Sequence, residues 1–290
     1  MFAITKGLAL RVATVATALV VGPATLAPGT AEAPSPGRAA LAGDGATAAQ
    51  KFGWGIMQWD FAWEFGESLD SPPYRGLDTT TGYWQEYTDG TGRAVKYGGG
   101  VEFQSGDQLY KKAGPDNGTS MLTLRDQGAV RGRWEIRERA DQSESNATRY
   151  RFIIELIPDD LTSDPCKQSI TIAEVSPGDN SLKIGATADG AKWTKTFADG
   201  YPQDNDNYAF ALQITKRRIT WFADGRAIAS LADVDARPTV PMTLRMRLVG
   251  DGAKEMNKSI VKVDWVRNYD LTRGDVPPEG ADLKQGTNRC

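Results

Sequence analysis

Residues 169–175 read SITIAEV, directly after the turn-rich PDDLTSDPCKQ of 158–168. Apolar and polar residues alternate with the period of two that lays one face of a strand on a core. The stretch nevertheless carries a carboxylate, Glu174, that an apolar interior would not accept without a partner. It reads as one strand of a larger sheet whose other face is polar. The same texture recurs in RGRWEIRER (131–139), RYRFIIELI (149–157), YAFALQIT (208–215), MTLRMRLV (242–249) and SIVKVDWVRNYDL (259–271). RITWFADGRAIASL (218–231) reads as a hairpin whose Asp224-Gly225 supplies the two positive-φ positions of a type I′ turn. No convincing amphipathic helix interrupts these runs. The pattern predicts an all-β domain over residues 51–272, a two-sheet sandwich with its inner faces packed together.

The ends of the chain have a different composition. Lys6 and Arg11 lead into the apolar VATVATALVVG and then the small-residue TLAPGTAEA, the order of a secretory signal peptide over 1–33. That apolar run is too short to span a bilayer, which needs about 20 residues. A secreted, extracellular protein is expected, with no membrane partner. Residues 34–50, rich in Pro, Gly and Ala, read as a flexible linker. Residues 273–290 lose apolar content and read as an irregular, loosely held tail. The two cysteines, Cys166 and Cys290, are candidates for a disulfide in an oxidising compartment, with two free thiols as the other reading. Removing 1–33 takes Lys6, Arg11 and Glu32 from totals of 34 basic and 37 acidic residues, leaving a net charge near −4. A nucleic acid is a poor partner for such a chain. A monomer is expected.

The chain contains no histidine. That excludes Ser-His-Asp and Cys-His catalysis and argues against a catalytic zinc. No phosphate-binding glycine loop opens a helix. Any chemistry must rest on carboxylates, tyrosines or arginines. No cofactor is assigned; a structural calcium suits the fold class, but no acidic loop stands out as its ligand set.

Several stretches, in order, resemble the family-16 glycoside hydrolases, secreted concanavalin-A-like jelly rolls that cleave β-1,3- or β-1,4-linked polysaccharides. RGRWEIRER is similar to that family's G-R-F-E-A-R strand, and RYRFIIELIPDD stands where it has a strand beginning W-P-A. SITIAEV stands at its E-I-D-I-x-E. YAFALQITKRRITWFADGRAIASL resembles its Y-x-x-x-W-x-x-x-x-I-x-W-Y-V-D-G hairpin, and VDWVRNYDL its terminal V-D-Y-V-R-V-Y strand. The resemblance runs from about Trp54 to Leu271. It implies a jelly roll that holds a polysaccharide or oligosaccharide in a concave cleft.

It does not carry over the catalytic set. The family's bulged motif places nucleophile, helper and acid/base at i, i+2 and i+5, which here are Ser169, Thr171 and Glu174. Unbulged, the first two become Ile170 and Ile172. Only the acid/base position keeps a carboxylate, so retaining hydrolysis is expected to be weak or absent, because it needs two carboxylates about 5–5.5 Å apart. A serine without a base is a poor nucleophile. Three functional readings stay open. In the first, the cleft binds glycan, with Glu135, Arg137, Arg139 and Glu155 among its polar groups, joined by Arg133, Arg151, Arg245 and Arg247. Trp84, Trp193 and Tyr201, which fall in turn-rich segments, supply stacking surfaces. In the second, Glu174 works with Glu135 or Glu155 as a relocated hydrolase pair. In the third, a polysaccharide lyase uses Tyr150 or Tyr201 as base and Arg137 as neutraliser. Against all three stands a charge-compensated sheet face in which Glu135 and Glu155 simply pair with nearby arginines.

Overall fold

The computed structural model describes residues 46–63, 83–106, 113–142, 147–160, 164–201, 207–252 and 254–289. The signal peptide expected over 1–33, most of the expected linker and Cys290 lie outside them. Among the described residues one helical turn, α1 (Ala48–Lys51), precedes the strands. In chain order these are β1 (Met57–Phe61), β2 (Trp84–Thr88), β3 (Arg93–Lys96), β4 (Val101–Gln104), β5 (Gly114–Pro115), β6 (Ser120–Leu124), β7 (Gly132–Gln142), β8 (Arg151–Pro158) and β9 (Ser169–Val175). They continue with β10 (Leu182–Ala188), β11 (Ala191–Phe197), β12 (Tyr208–Ile214), β13 (Ile219–Ala223), β14 (Arg226–Leu231), β15 (Met242–Val249), β16 (Glu255–Met256), β17 (Ser259–Tyr269) and β18 (Lys284–Thr287).

The strands form two antiparallel sheets. The first runs β14-β13-β12-β7-β17-β4-β3, with β1 also on β17; the second runs β18-β11-β10-β9-β8-β15-β6-β2. β16 and β5 make a small separate pair. The fold is the all-β, two-sheet jelly-roll sandwich expected. Trp134, Ile136, Phe210 and Trp221 from the first sheet meet Ile154, Ile170, Ile172 and Leu244 from the second in one apolar layer. Each such side chain, withdrawn from water, contributes about 1.5–3 kcal/mol. The β13–β14 hairpin turns at Asp224 and Gly225, with φ of 44° and 67°, as the type I′ signal requires. A Cβ at Gly225 would sit 2.5 Å from the Ala46 carbonyl oxygen, so the turn also meets the incoming N-terminal segment.

That segment corrects the linker boundary. Thr47 caps α1 in a reciprocal capping box with Gln50, and Ala48 is buried. The turn packs on the outer face of the first sheet, where Ala48 and Trp54 cluster with Ala211, Phe222 and Tyr269. Gly, Pro and Ala composition concealed this, because a single turn is too short to show a helical period.

The tail requires a correction too. After β17 the chain passes β14, where the Ser230 N–H donates to the Ala281 carbonyl (3.2 Å) and the Ala281 N–H to that of Ile228 (3.0 Å). Gly280 allows the approach: a Cβ there would lie 2.3 Å from the Ala229 nitrogen. The tail then pairs as β18 on β11. It covers open strand edges, which otherwise invite pairing with other chains; backbone bonding needs no apolar residue, so composition gave no sign of it. Cys166 is disulfide-bonded, and its carbonyl accepts from the Asn288 amide at 2.9 Å.

Two carboxylates are fully buried in the first sheet. Glu135 faces outward and accepts the Ala48 and Ala49 N–H groups at 2.6 and 3.2 Å. Burial pushes its pKa up to about 7 against those hydrogen bonds. Glu138 points inward beside Tyr201, whose hydroxyl donates to it at 3.2 Å, and burial pushes it up to about 8. Both groups hold protons more tightly folded than unfolded, so their contribution is complete below about pH 4.5 and is lost as pH rises through 7 to 8. The melting temperature should therefore fall between pH 5 and pH 8.5, by an amount worth a few kcal/mol. Glu138→Gln, which keeps the acceptor and removes the proton, should flatten much of that slope in thermal melts.

Candidate functional site

The outer face of the second sheet is organised by an irregularity in β9. Glu155 pairs with Thr171 while Ile154 pairs with Ala173, so β8 skips Ile172; β10 shifts at the same place. This is a β-bulge, one extra residue on β9. Its mark is the burial order: Ile172 and Ala173 are both buried, whereas Ser169, Thr171 and Glu174 are not. Of the two registers left open by the sequence, the bulged one is present. It puts Ser169, Thr171 and Glu174 on the outer face at i, i+2 and i+5.

The bulge is held from the other sheet. The Trp221 indole N–H on β13 crosses the core and donates to the Thr171 carbonyl at 2.9 Å. A bulge frees a backbone carbonyl from the ladder, and a buried indole needs an acceptor; each satisfies the other.

Glu174 then meets two cations. Lys183 Nζ on β10 lies 2.7 Å from Oε2, and the Arg151 guanidinium on β8 lies 3.2 Å from Oε1. Burial alone would raise this carboxyl, but the combined pull of Lys183 and Arg151 outweighs it and leaves the pKa below its ordinary value. Glu174 is ionised at neutral pH and has no proton to give. Glu155 is clamped in the same fashion, with Arg245 Nε at 2.8 Å and Arg247 Nε at 2.7 Å on one oxygen. Strand pairing sets the rows across the face: Arg247, Ile153, Glu174 and Lys183 in one, Arg245, Glu155, Thr171 and Gly185 in the next. Tyr87 joins the first row through Met121 and is half exposed. Among the described residues no group of three or more His, Cys, Asp or Glu side chains could hold a metal.

The other expected site residues lie elsewhere. Glu135, Arg137 and Arg139 project from the outer face of the first sheet, because Trp134, Ile136 and Glu138 between them face the core. Two packed sheets, about 10 Å apart, separate that face from Glu174. Glu135 is therefore no partner for Glu174; it anchors α1 instead. Arg137 approaches Asp264 at 3.7 Å. Trp193 and Tyr201 are 2% exposed, and Trp84 is also buried, so none offers a stacking surface. These aromatics were read from turn-rich neighbours, but the pleat turns Trp193 inward opposite Ala186. Tyr150 is fully buried, and burial pushes the pKa of both Tyr150 and Tyr201 up, so neither serves as a base. The lyase arrangement is not assembled.

Lys183, the second clamp on Glu174, was not recognised from sequence. The alternation of Lys183, Gly185 and Thr187 in LKIGATA marks it as face-directed, but only pairing places it opposite Glu174. Trp221 alternates with its neighbours as a core residue of the RITWFADGRAIASL hairpin, and nothing in that alternation signals its bond to the bulge.

No family model matches the chain, and no curated protein matches it by sequence. Solved structures do. The chain has the jelly-roll fold of the family-16 glycoside hydrolases. It is similar to the laminarinase of Rhodothermus marinus at 16% identity, covering 77% of this chain and 98% of that one, with a TM-score of 0.53. A non-specific endo-β-1,3(4)-glucanase of family 16 matches at 16% identity over 74% of this chain and 91% of its own, TM-score 0.53. A structure from work on endo-acting O-glycanases of the human gut microbiota that initiate mucin breakdown matches at 14% identity, covering 74% and 100%, TM-score 0.57. At these identities the likeness is one of fold.

Trp221→Phe keeps most of the buried ring and leaves the Thr171 carbonyl without its donor. The expected cost is about 1–3 kcal/mol, read from the denaturation midpoint, with faster amide exchange at Ile172–Glu174. An unchanged midpoint and unchanged exchange would mean the bulge stands without this bond.

Proposed function

We propose that this is an exported, monomeric polysaccharide-binding protein that holds its glycan on the outer face of the second sheet and does not cleave it by double displacement. The observation that carries the reading is the state of Glu174: ionised, tied to Lys183 and Arg151, with Ser169 and Thr171 at the two preceding positions of the bulge. Double displacement requires a nucleophilic carboxylate and, beside it, an acid that starts the cycle protonated. This face supplies neither. Pairing Glu174 with Glu155 for an inverting reaction meets the same obstacle, because one partner must be a proton donor and Glu174 is held ionised, while both Glu155 contacts are permanent cations. What the face does offer is a row of hydroxyls and guanidinium edges with Tyr87 at its margin, groups suited to sugar hydroxyls and a ring face. The structural neighbours are named for β-glucans and mucin O-glycans, which makes laminarin the first ligand to assay.

Laminarin should bind in affinity electrophoresis, and release of reducing ends should stay at background for both the native protein and Glu174→Gln. Replacing Arg151 and Lys183 together by Ala should weaken binding by about tenfold. Turnover by the native protein that Glu174→Gln abolishes would end this reading in favour of a hydrolase.

A further inference from the structure

A cavity of about 590 Å³ opens at the end of the first sheet, between the β12–β13 turn at 215–218 and the chain that leaves β17. A second, of about 210 Å³, shares Thr215 and Lys216 with it. Both lie away from Glu174, which belongs to the other sheet. Six cationic side chains line the two cavities against two carboxylates, Asp275 and Glu279, on a chain whose net charge is −3. Cations outnumber carboxylates here.

Part of it holds the fold. Arg133 donates to the Gln213 side chain at 2.7 Å and to the Asp270 carbonyl at 2.7 Å, and Arg218 pairs with Glu279 at 3.4 Å. The rest has no such task. Arg131, Lys216 and Arg217 are exposed and form no ion pair among the described residues. Arg237, on the wall of the smaller cavity, donates from Nη1 to the Lys216 carbonyl. Its Nε is buried and has no acceptor among the described residues. A buried guanidinium N–H without an acceptor is costly, so the ligand-facing charge of the smaller cavity rests on the exposed Arg131 and Lys216. The rims add apolar surface: Leu271 and Val276 at the larger cavity and Val234 at the smaller are 37%, 84% and 65% exposed.

We propose that these paired cavities form a second glycan site, selective for an acidic polysaccharide whose carboxylate or sulfate groups recur along the chain. Two cavities joined through one cationic turn suit a repeating anion better than a single one. A pyranose ring also carries an apolar C–H face beside its charge, which matches the aliphatic rim. The choice of a glycan over another polyanion rests on the function proposed above; the site itself rests on its own residues. Guanidinium groups bind carboxylate and sulfate in charge-assisted pairs, and exposed pairs of this kind are screened by salt.

The test is calorimetry on the full-length protein with polygalacturonate oligomers and dextran sulfate, at about 0.05 and 0.5 M salt. Laminarin and polyglutamate serve as comparisons. At least one anionic glycan should bind at low salt and weaken at high salt, and which of the two binds distinguishes carboxylate from sulfate. The Lys216→Glu, Arg217→Glu double variant should lose at least about tenfold in that affinity with laminarin binding and melting temperature unchanged. Arg131→Ser gives an independent check from the smaller cavity. Absence of binding to either anionic glycan, equal binding by the double variant, or polyglutamate bound as tightly as the glycans would overturn the proposal. Loss of laminarin binding in the Arg151, Lys183 double-alanine variant, with the anionic glycan still bound, would separate this site from the Glu174 face.

Discussion

A single hydrogen bond across the core, from the Trp221 indole to the Thr171 carbonyl, couples the two sheets at the point where the second is irregular. The Trp221 indole N–H, on a residue with 0% exposure, gains an acceptor there, whereas an unbulged β9 would have its carbonyls engaged along the ladder. The bulge also sets which residues look outward: with one extra residue at Ile172, Ser169, Thr171 and Glu174 share the outer face. The residues that this face presents are therefore tied, through one bond, to a tryptophan of the opposite sheet.

With that register in place, the outward carboxylates are balanced by more cations than they need. Glu174 has Lys183 and Arg151; Glu155 has Arg245 and Arg247. Partly buried pairs of this kind organise a surface while adding little net stability, since desolvation offsets much of the attraction. Their functional effect is on protonation. Glu174, between its two cations, stays ionised and has no proton to donate. The first sheet treats its acids the opposite way: Glu135 and Glu138 are buried with few compensating charges and rise toward neutrality. One chain thus holds carboxyls shifted in both directions, and the direction follows from what stands beside each.

Much of the fold was legible. Alternation in RGRWEIRER, YAFALQIT and MTLRMRLV located β7, β12 and β15 to within a few residues, and Asp224-Gly225 identified its turn because only positive φ closes a two-residue hairpin with the right twist. The candidate site was legible along one strand and not between strands. Ser169, Thr171 and Glu174 were named from motif spacing, yet Glu135 was assigned to their company when it sits behind the other sheet. Alternation reports that residues share a face, but not which face of which sheet. Trp193 and Tyr201 failed for a related reason: turn-like neighbours say nothing about whether a ring folds inward.

From the order of its residues, then, this protein had to be a histidine-free β-sandwich with one carboxylate, Glu174, on the strand at 169–175, because period-two patterning, turn chemistry and composition are local properties of the chain. Assembly was needed to choose the bulged register, to bring Lys183 and Arg151 onto Glu174, to send Glu135 to the far side under α1, and to gather the cations around the 215–218 turn. Those outcomes rest on contacts between strands and between sheets, from 9 positions apart for Lys183 and Glu174 to 137 for Arg133 and Asp270, which no local pattern encodes.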